Sequence, residues 1–403
     1  MPDPLDALRL PRQEIEPRPA FVGDLLGRVA FGVAMPSVVS AVALPLVPSP
    51  SADDALDDAL DRLVGAAPEF DPFKVGACIA NHAPMTAEAL CVLGREDVVV
   101  SWVDRYRKYL DPMPAGVVPI ASDEWREALG DYARVADWIA FFSRLFAEQD
   151  WIDVVNRWLI RLAPGAALGT HGLVRVAHAV RAVGRRDTPL RRQELAVGLA
   201  YLAAVYETLP EVAGPAAGLR PSDALDRVEQ LPLRDRTGWL LFTQPLEKLR
   251  GLPSFASVTS LVDLDGDPSD FLTDLTEAVA GVLVTNAVVG PRALAHALTA
   301  GAATRMMLPY LSDEATVVSL RYGWQIAAAF YAGLVLEPAA RDVAPPLESI
   351  DELLDEAVAC LDEHGIKTLE ACLREYELNP NPLYLVAARE TTRCLETNGL
   401  HLR

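Results

Sequence analysis

The sequence predicts an all-α protein, on three observations. Apolar residues recur at helical spacing from Ser51 to the C-terminal end. Helix-start signals (Asn-His-Ala-Pro, Thr-Pro, Gly-Pro, Ser-Ile-Asp-Glu) punctuate that pattern at ordinary helix lengths. Alternating strand runs are missing, Asp97–Val103 being the one candidate. The chain of 403 residues divides into an extension, 1–50, and one large helical domain, 51–403.

Residues 1–28 are rich in proline and charge and read as a loosely held arm. Val29–Val47 carries no charge and has the length of a membrane span. Pro36, Pro45, Gly32 and an acidic flank favour a segment packed on the core, so a membrane role is disfavoured. Pro48-Ser-Pro-Ser51 reads as a linker. Asp53–Ala66 follows as an amphipathic helix, with Leu56, Leu60, Leu63 and Val64 on one stripe.

Asn81-His82-Ala83-Pro84-Met85 opens the next helix, with Pro84 at its first position and Gly94 as its stop. His82 stands at that entrance. Ser122–Trp125 opens another helix. Asp131–Leu162 reads as one long helical stretch whose rings (Trp138, Phe141, Phe142, Phe146, Trp151, Trp158) suit core packing or the wall of an apolar cavity.

Thr170–Val183 is apolar on nearly all sides yet carries His171 and His178 seven residues apart, with Arg175 between them. Seven residues are almost two helical turns, so both imidazoles leave one face. Two histidines aimed into a dry interior need partners: either each meets a backbone carbonyl, or they share a metal. Thr188-Pro189 caps a further helix to about Leu209, and residues 210–237 form a polar excursion. Ser269–Val284 is helical, Gly290-Pro291 opens a helix carrying His296, and Thr316–Leu336 reads as buried. Ser349 and Glu352 fit a capping box, whose helix runs to His364 with Gly365 as a left-handed stop. A helix carrying Lys367 follows, and the last spans Pro382–Thr397.

The net charge of −20 repels nucleic acid and anionic membranes. Five dispersed cysteines without a CxxC read as reduced thiols of a cytoplasmic protein. Only four of the 36 basic residues are lysine (Lys74, Lys108, Lys248, Lys367), which draws attention to any lysine in a buried setting. Apart from His401, the histidines His82, His171, His178, His296 and His364 all lie in or beside apolar helical segments. No HExxH or helical ExxH pattern is present, so a metal site here has to be assembled from distant helices.

Five motifs in order resemble the questin oxidase-like family. They are Asn81-His82-x-Pro84-Met85, Trp125 with Leu129-Gly130, the run from His171 to Ala179, His296-Ala-Leu-Thr299, and Glu363-His-Gly-Ile-Lys-Thr368. The likeness covers about residues 55–397 and leaves the first fifty outside. It implies an O2-dependent oxygenase that opens the ring of an anthraquinone-like aromatic polyketide, by Baeyer–Villiger-type insertion or C–C cleavage. It implies non-haem Fe(II) held by His82, His171, His178 and His296 with a carboxylated Lys367. His364 is then a further ligand or a group behind the ligands, and Arg175 steadies a substrate oxyanion.

Imidazole suits Fe(II), and a carbamate needs a buried, neutral lysine. NADPH use is implied too, yet no strand–GxGxxG–helix unit is encoded, so a reductant has to come from elsewhere or from a partner reductase. Two other readings keep the same residues. One is a zinc hydrolase or lyase, and the other a non-catalytic helical protein that binds a small molecule.

Overall fold

The computed structural model describes residues 48–397 except 72–77, 215, 237–242, 289 and 337–348. The arm 1–28, the segment 29–47 and His401 lie outside the described residues. No helix among the described residues is long and apolar enough to cross a membrane. Helix dominates, and the strand present among them is one antiparallel pair, β1 (Glu69–Phe70) with β2 (Ile79–Ala80).

The first helix, α1 (Pro50–Leu63), starts inside the expected linker, because Ser49 Oγ accepts from the Ala52 amide and Pro50 fills the first turn. The β-pair leads into α2 (Ala83–Val92), which stops at Gly94 with φ +69° as its glycine predicts. The one candidate strand, Asp97–Val103, is instead helical, within α3 (Glu96–Tyr106). Its three consecutive valines suit a strand locally, but Val99, Trp102, Val103 and Tyr106 form a buried helical stripe.

Trp125–Ala128 makes only a short 3-10 turn. The expected long helix to Leu162 is two, α4 (Val135–Glu148) and α5 (Trp151–Leu162), because Asp150 accepts from the Ile152 amide and begins a new helix. Next come α6 (Thr170–Arg185) and α7 (Pro189–Ala204), the latter capped by Thr188. Two short helices follow, α8 (Pro221–Leu225) and α9 (Thr243–Glu247). After them come α10 (Pro268–Asn286), α11 (Pro291–Met307) and α12 (Asp313–Leu334).

The C-terminal part holds α13 (Ile350–Cys360), α14 (Glu363–Leu378) and α15 (Leu383–Thr397). Here the expected break at Gly365 is misplaced. Leu361 takes the left-handed conformation (φ +62°), Asp362 caps α14, and Gly365 lies inside it. His364 therefore opens a helix where a closing position was expected.

Four helices that are distant in sequence close a ring at the centre: α2 packs on α6, α6 on α11, α11 on α14, and α14 back on α2. All four are buried along most of their length. The aromatic helices α4 and α5 pack elsewhere, α4 chiefly against α7 and α5 against α12. Their rings meet edge to face, Trp158 lying within 6 Å of Trp138, Phe141, Phe142 and the nearby Trp125. They form a core cluster, and of the two roles open to them, packing is the one they take.

Candidate metal centre

His82 sits where the β-pair turns into α2. Asn81 fixes that turn: its Oδ1 accepts from the Ala83 amide and its Nδ2 donates to the Ala67 carbonyl. Pro84 in the first turn then holds the helix start. The His82 amide donates to Tyr106 Oη at 3.3 Å, and Tyr106 stacks on Trp102 with ring centroids 5.0 Å apart.

His171 is the second residue of α6, and His364 the second of α14. His296 lies in the second turn of α11. Together with His82, four helix starts thus bring an imidazole each to the centre of the ring. Ring centroids are 4.9 Å apart for His82–His171, 5.7 Å for His82–His296 and 4.7 Å for His82–His364. They are 4.3 Å apart for His171–His296 and 5.0 Å for His296–His364. Nitrogen atoms of His82, His171 and His296 all fall within 4.8 Å of one another. Imidazoles bound side by side on one octahedral ion, with metal–nitrogen bonds of about 2.1 Å, have centroids about 4.5 Å apart. Four of the five spacings lie close to that value and His82–His296 is wider at 5.7 Å, so the donor set is one that could hold a transition metal.

Groups behind the rings set their orientation. His296 Nδ1 lies 2.7 Å from the Arg292 carbonyl one turn earlier, so Nδ1 carries the proton and Nε2 keeps its lone pair. Asp362 holds His364 twice, accepting from its amide and from its Nδ1, both at 2.9 Å. The other oxygen of Asp362 takes Arg292 Nη2 at 2.7 Å, which ties α14 to α11.

The electrostatics favour neutral imidazoles. Burial holds His82, His171 and His296 well below the usual histidine value, and the positive charge of Lys367 adds to the effect on His82 and His171. Converging helix N-termini, the positive ends of their dipoles, act in the same direction. Neutral imidazole is the form that binds metal.

Lys367, on the same helix as His364, is 2% exposed. Its Nζ lies 2.7 Å from His82 Nδ1, and burial lowers its pKa to about 8. Lys108 is exposed and Lys248 pairs with Asp235 at the surface, so Lys367 stands apart among the described lysines. Glu363 joins the cluster, a carboxylate oxygen lying within 4.8 Å of donor nitrogens on His82 and His364. Burial raises its pKa, and the Asp362 charge raises it further.

Two expected site residues belong elsewhere. His178 does not join the four imidazoles. Its Nδ1 sits 2.8 Å from Glu88 Oε2, in a buried ion-pair network with Arg181 and Arg185. The reason is axial: seven residues share a face, but at 1.5 Å per residue they lie about 10 Å apart along the helix. Arg175 is held on α6 by Glu194, while its buried Nη1 has no hydrogen-bond partner among the described residues. Glu194 clamps its fork, taking Nε at 2.6 Å and Nη2 at 2.9 Å. A surface groove of about 840 Å³ lies away from the histidines, lined by Gln230, Leu233, Arg236 and Lys248 among others.

The sequence reading missed Asp362 and Glu363. The signal was available, since an acidic residue two before a histidine is an N-cap that also reaches the ring. Reading His364 as a helix end concealed it. Compared with models of known families and with curated proteins, the chain matches none.

Proposed function

We propose that this chain is a non-haem iron oxygenase that uses O2 to open the ring of an electron-rich, anthraquinone-like aromatic compound. One observation carries the metal part of that reading: His82, His171 and His296 bring donor nitrogens within 4.8 Å of one another, and His82 also groups with His364 and Glu363, with Lys367 beside it. A structural core has no need for such a meeting. Burying one imidazole requires one hydrogen bond, and that is how His178 is satisfied on Glu88.

Iron suits the donor set better than zinc. Structural and catalytic zinc sites use three or four protein ligands, whereas His82, His171, His296 and His364 with an anionic neighbour offer five. When bound, iron supplies the means to activate O2 for reaction with an organic substrate. The chain's own residues set the conditions for this. His82, His171, His296 and His364 would hold the ion, Asp362 and the Arg292 carbonyl fix two of the rings, and Tyr106 Oη accepts from the His82 amide. Lys367, carboxylated or free, and Glu363 are the candidate anionic and proton-handling groups at that point.

The aromatic polyketide, the ring opening and the NADPH dependence come from the motif resemblance, not from the imidazole cluster. Electrons would reach the site from a partner reductase or a diffusing reductant. Five free cysteines and the acidic surface are compatible with the cytoplasm.

The test is elemental analysis after metal-limited expression, followed by anaerobic Fe(II) loading and O2-uptake measurements with a panel of hydroxyanthraquinones. Iron binding with substrate-dependent O2 consumption is expected. Tight zinc filling, or an iron-loaded protein that consumes no O2 with any of them, overturns the reading.

A further inference from the structure

The His178 network lies one level below the imidazoles and touches all four helices that bring them in. Glu88 follows His82 by six residues on α2, and His178 follows His171 by seven on α6. Ala302 follows His296 by six on α11, and Glu370 follows His364 by six on α14. All four positions are bonded into one belt, so the four helices leave the site in the same sense. The belt runs about 9 Å beneath the rings.

Arg181 is its hinge point. From α6 it grips Glu88 on α2 with Nε, at 2.9 Å, and with Nη2, and it reaches Glu370 on α14 with Nη1 at 2.5 Å. Glu88 also takes His178 Nδ1 and Arg185 Nη1, which leaves it saturated. Glu370 takes Arg374, whose Nη1 donates to the Ala302 carbonyl of α11 at 2.9 Å and so adds the fourth helix. Glu88 is 2% exposed and Glu370 1%. Buried carboxylates with that many charge-assisted bonds are strongly fixed in place.

We infer that this belt, with Arg181 as its positioning residue, holds the four ligand helices in register so that the imidazoles stand assembled before an ion arrives. The inference rests on the metal reading above and goes beyond it by assigning a task to residues that touch no ligand. Each helix contributes its histidine from the first or second turn, where ends fray and local packing is weakest. Fixing every helix six or seven residues further along is the way to hold such ends at ligand distance. Only a planar fork serves at Arg181, because one side chain must satisfy two carboxylates on two different helices.

The test titrates the metal-free full chain with Co(II), whose visible absorption reports both binding and coordination. Arg181→Met leaves Glu88 with Arg185 and His178, and Glu370 with Arg374, so the fold keeps a partner for each carboxylate. The expected result is a 10- to 100-fold weaker cobalt Kd and a changed absorption spectrum, as for the loss of other groups that orient ligands. Arg181→Lys is expected to recover thermal stability without recovering Kd.

The control is Asp137→Asn on α4, which weakens a 6% exposed carboxylate's bonds to the Val117 and Val118 amides and to Arg134, on a helix outside the ring of four. It lowers Tm and leaves Kd alone. If Arg181→Met does not fold, Glu370→Gln makes the same prediction. Arg181 variants that lose Tm while binding cobalt with the wild-type Kd and spectrum overturn the positioning role and leave the metal reading standing. A wild-type chain that binds no cobalt overturns both.

Discussion

Lys367 Nζ stands 2.7 Å from His82 Nδ1, both side chains being buried. At that distance one atom donates and the other accepts, and His82, held well below its usual pKa, is the acceptor. A lysine this deep carries a cost in the metal-free protein. Its folded pKa of about 8 lies below the unfolded value of 10.5, so between those pH values the unfolded chain holds a proton that the folded chain has released. Stability therefore rises with pH across that window, and the penalty is complete below pH 8. Metal-free Lys367→Met is expected to exceed wild type by on the order of 3 kcal/mol at pH 7. That margin should shrink from pH 8 upward. Urea unfolding at several pH values measures it, and equal stability at pH 7 contradicts the assignment.

Acid should act on the metal-free protein in two stages. His82, His171 and His296 have depressed pKa values, so the folded state resists protonation that the unfolded state accepts from pH 6.5 downward. Their contribution is whole above pH 6.5 and is lost below it. Glu88 is depressed by Arg181, His178 and Arg185 against the opposing effect of burial, and its contribution is lost below pH 4.5. The urea midpoint is expected to fall from pH 6.5 to 5 and again below 4.5. A flat profile between pH 7 and 5 rules out neutral imidazoles at the centre.

Alanine substitutions divide the histidines into two classes. His82, His171, His296 and His364 variants are expected to lose bound metal while keeping helical circular dichroism. His178→Ala is expected to bind metal to wild-type stoichiometry and to lose about 1–3 kcal/mol of stability, the cost of removing a partner from a buried carboxylate. Metal analysis after dialysis, with thermal melts, separates the two. An empty His178 variant with wild-type stability would put that residue back among the ligands.

Legibility followed the range of the interactions. Helix type and the starts at Thr188 and Ser349 are local matters, decided by those caps with their own amides, and can be read from the chain. The caps Ser49, Asp267 and Ser312 instead begin their helices a few residues earlier than the pattern suggests. His82, His171 and His296 were legible as a set because each polar ring stands in an apolar segment. His178 was not separable from His171, since a helical wheel gives the face and not the height. His364 turned on the left-handed residue being Leu361 and not Gly365, a choice made by the Asp362 cap and its bond to Arg292 seventy residues away. The belt joins Glu88 to Glu370 across the whole chain through Arg181, and no local pattern announces such a contact.

Gly172 shows how closely the site depends on helix packing. It follows His171, and a β-carbon there would lie 2.8 Å from Leu202 Cα and 3.0 Å from the Leu202 nitrogen on α7. Backbone cannot move aside as a side-chain tip does, so Gly172→Ala must push α6 away from α7 and carry His171 with it. A loss of about 1–3 kcal/mol is expected, together with weaker metal binding. Gly198 faces Val176 across the same helix pair at a less crowded 3.2 Å, so Gly198→Ala should cost less and leave metal binding close to wild type. Melting temperatures and cobalt titrations of the two variants decide the matter. If Gly172→Ala binds cobalt as wild type does despite a lowered Tm, the position of His171 does not depend on this contact.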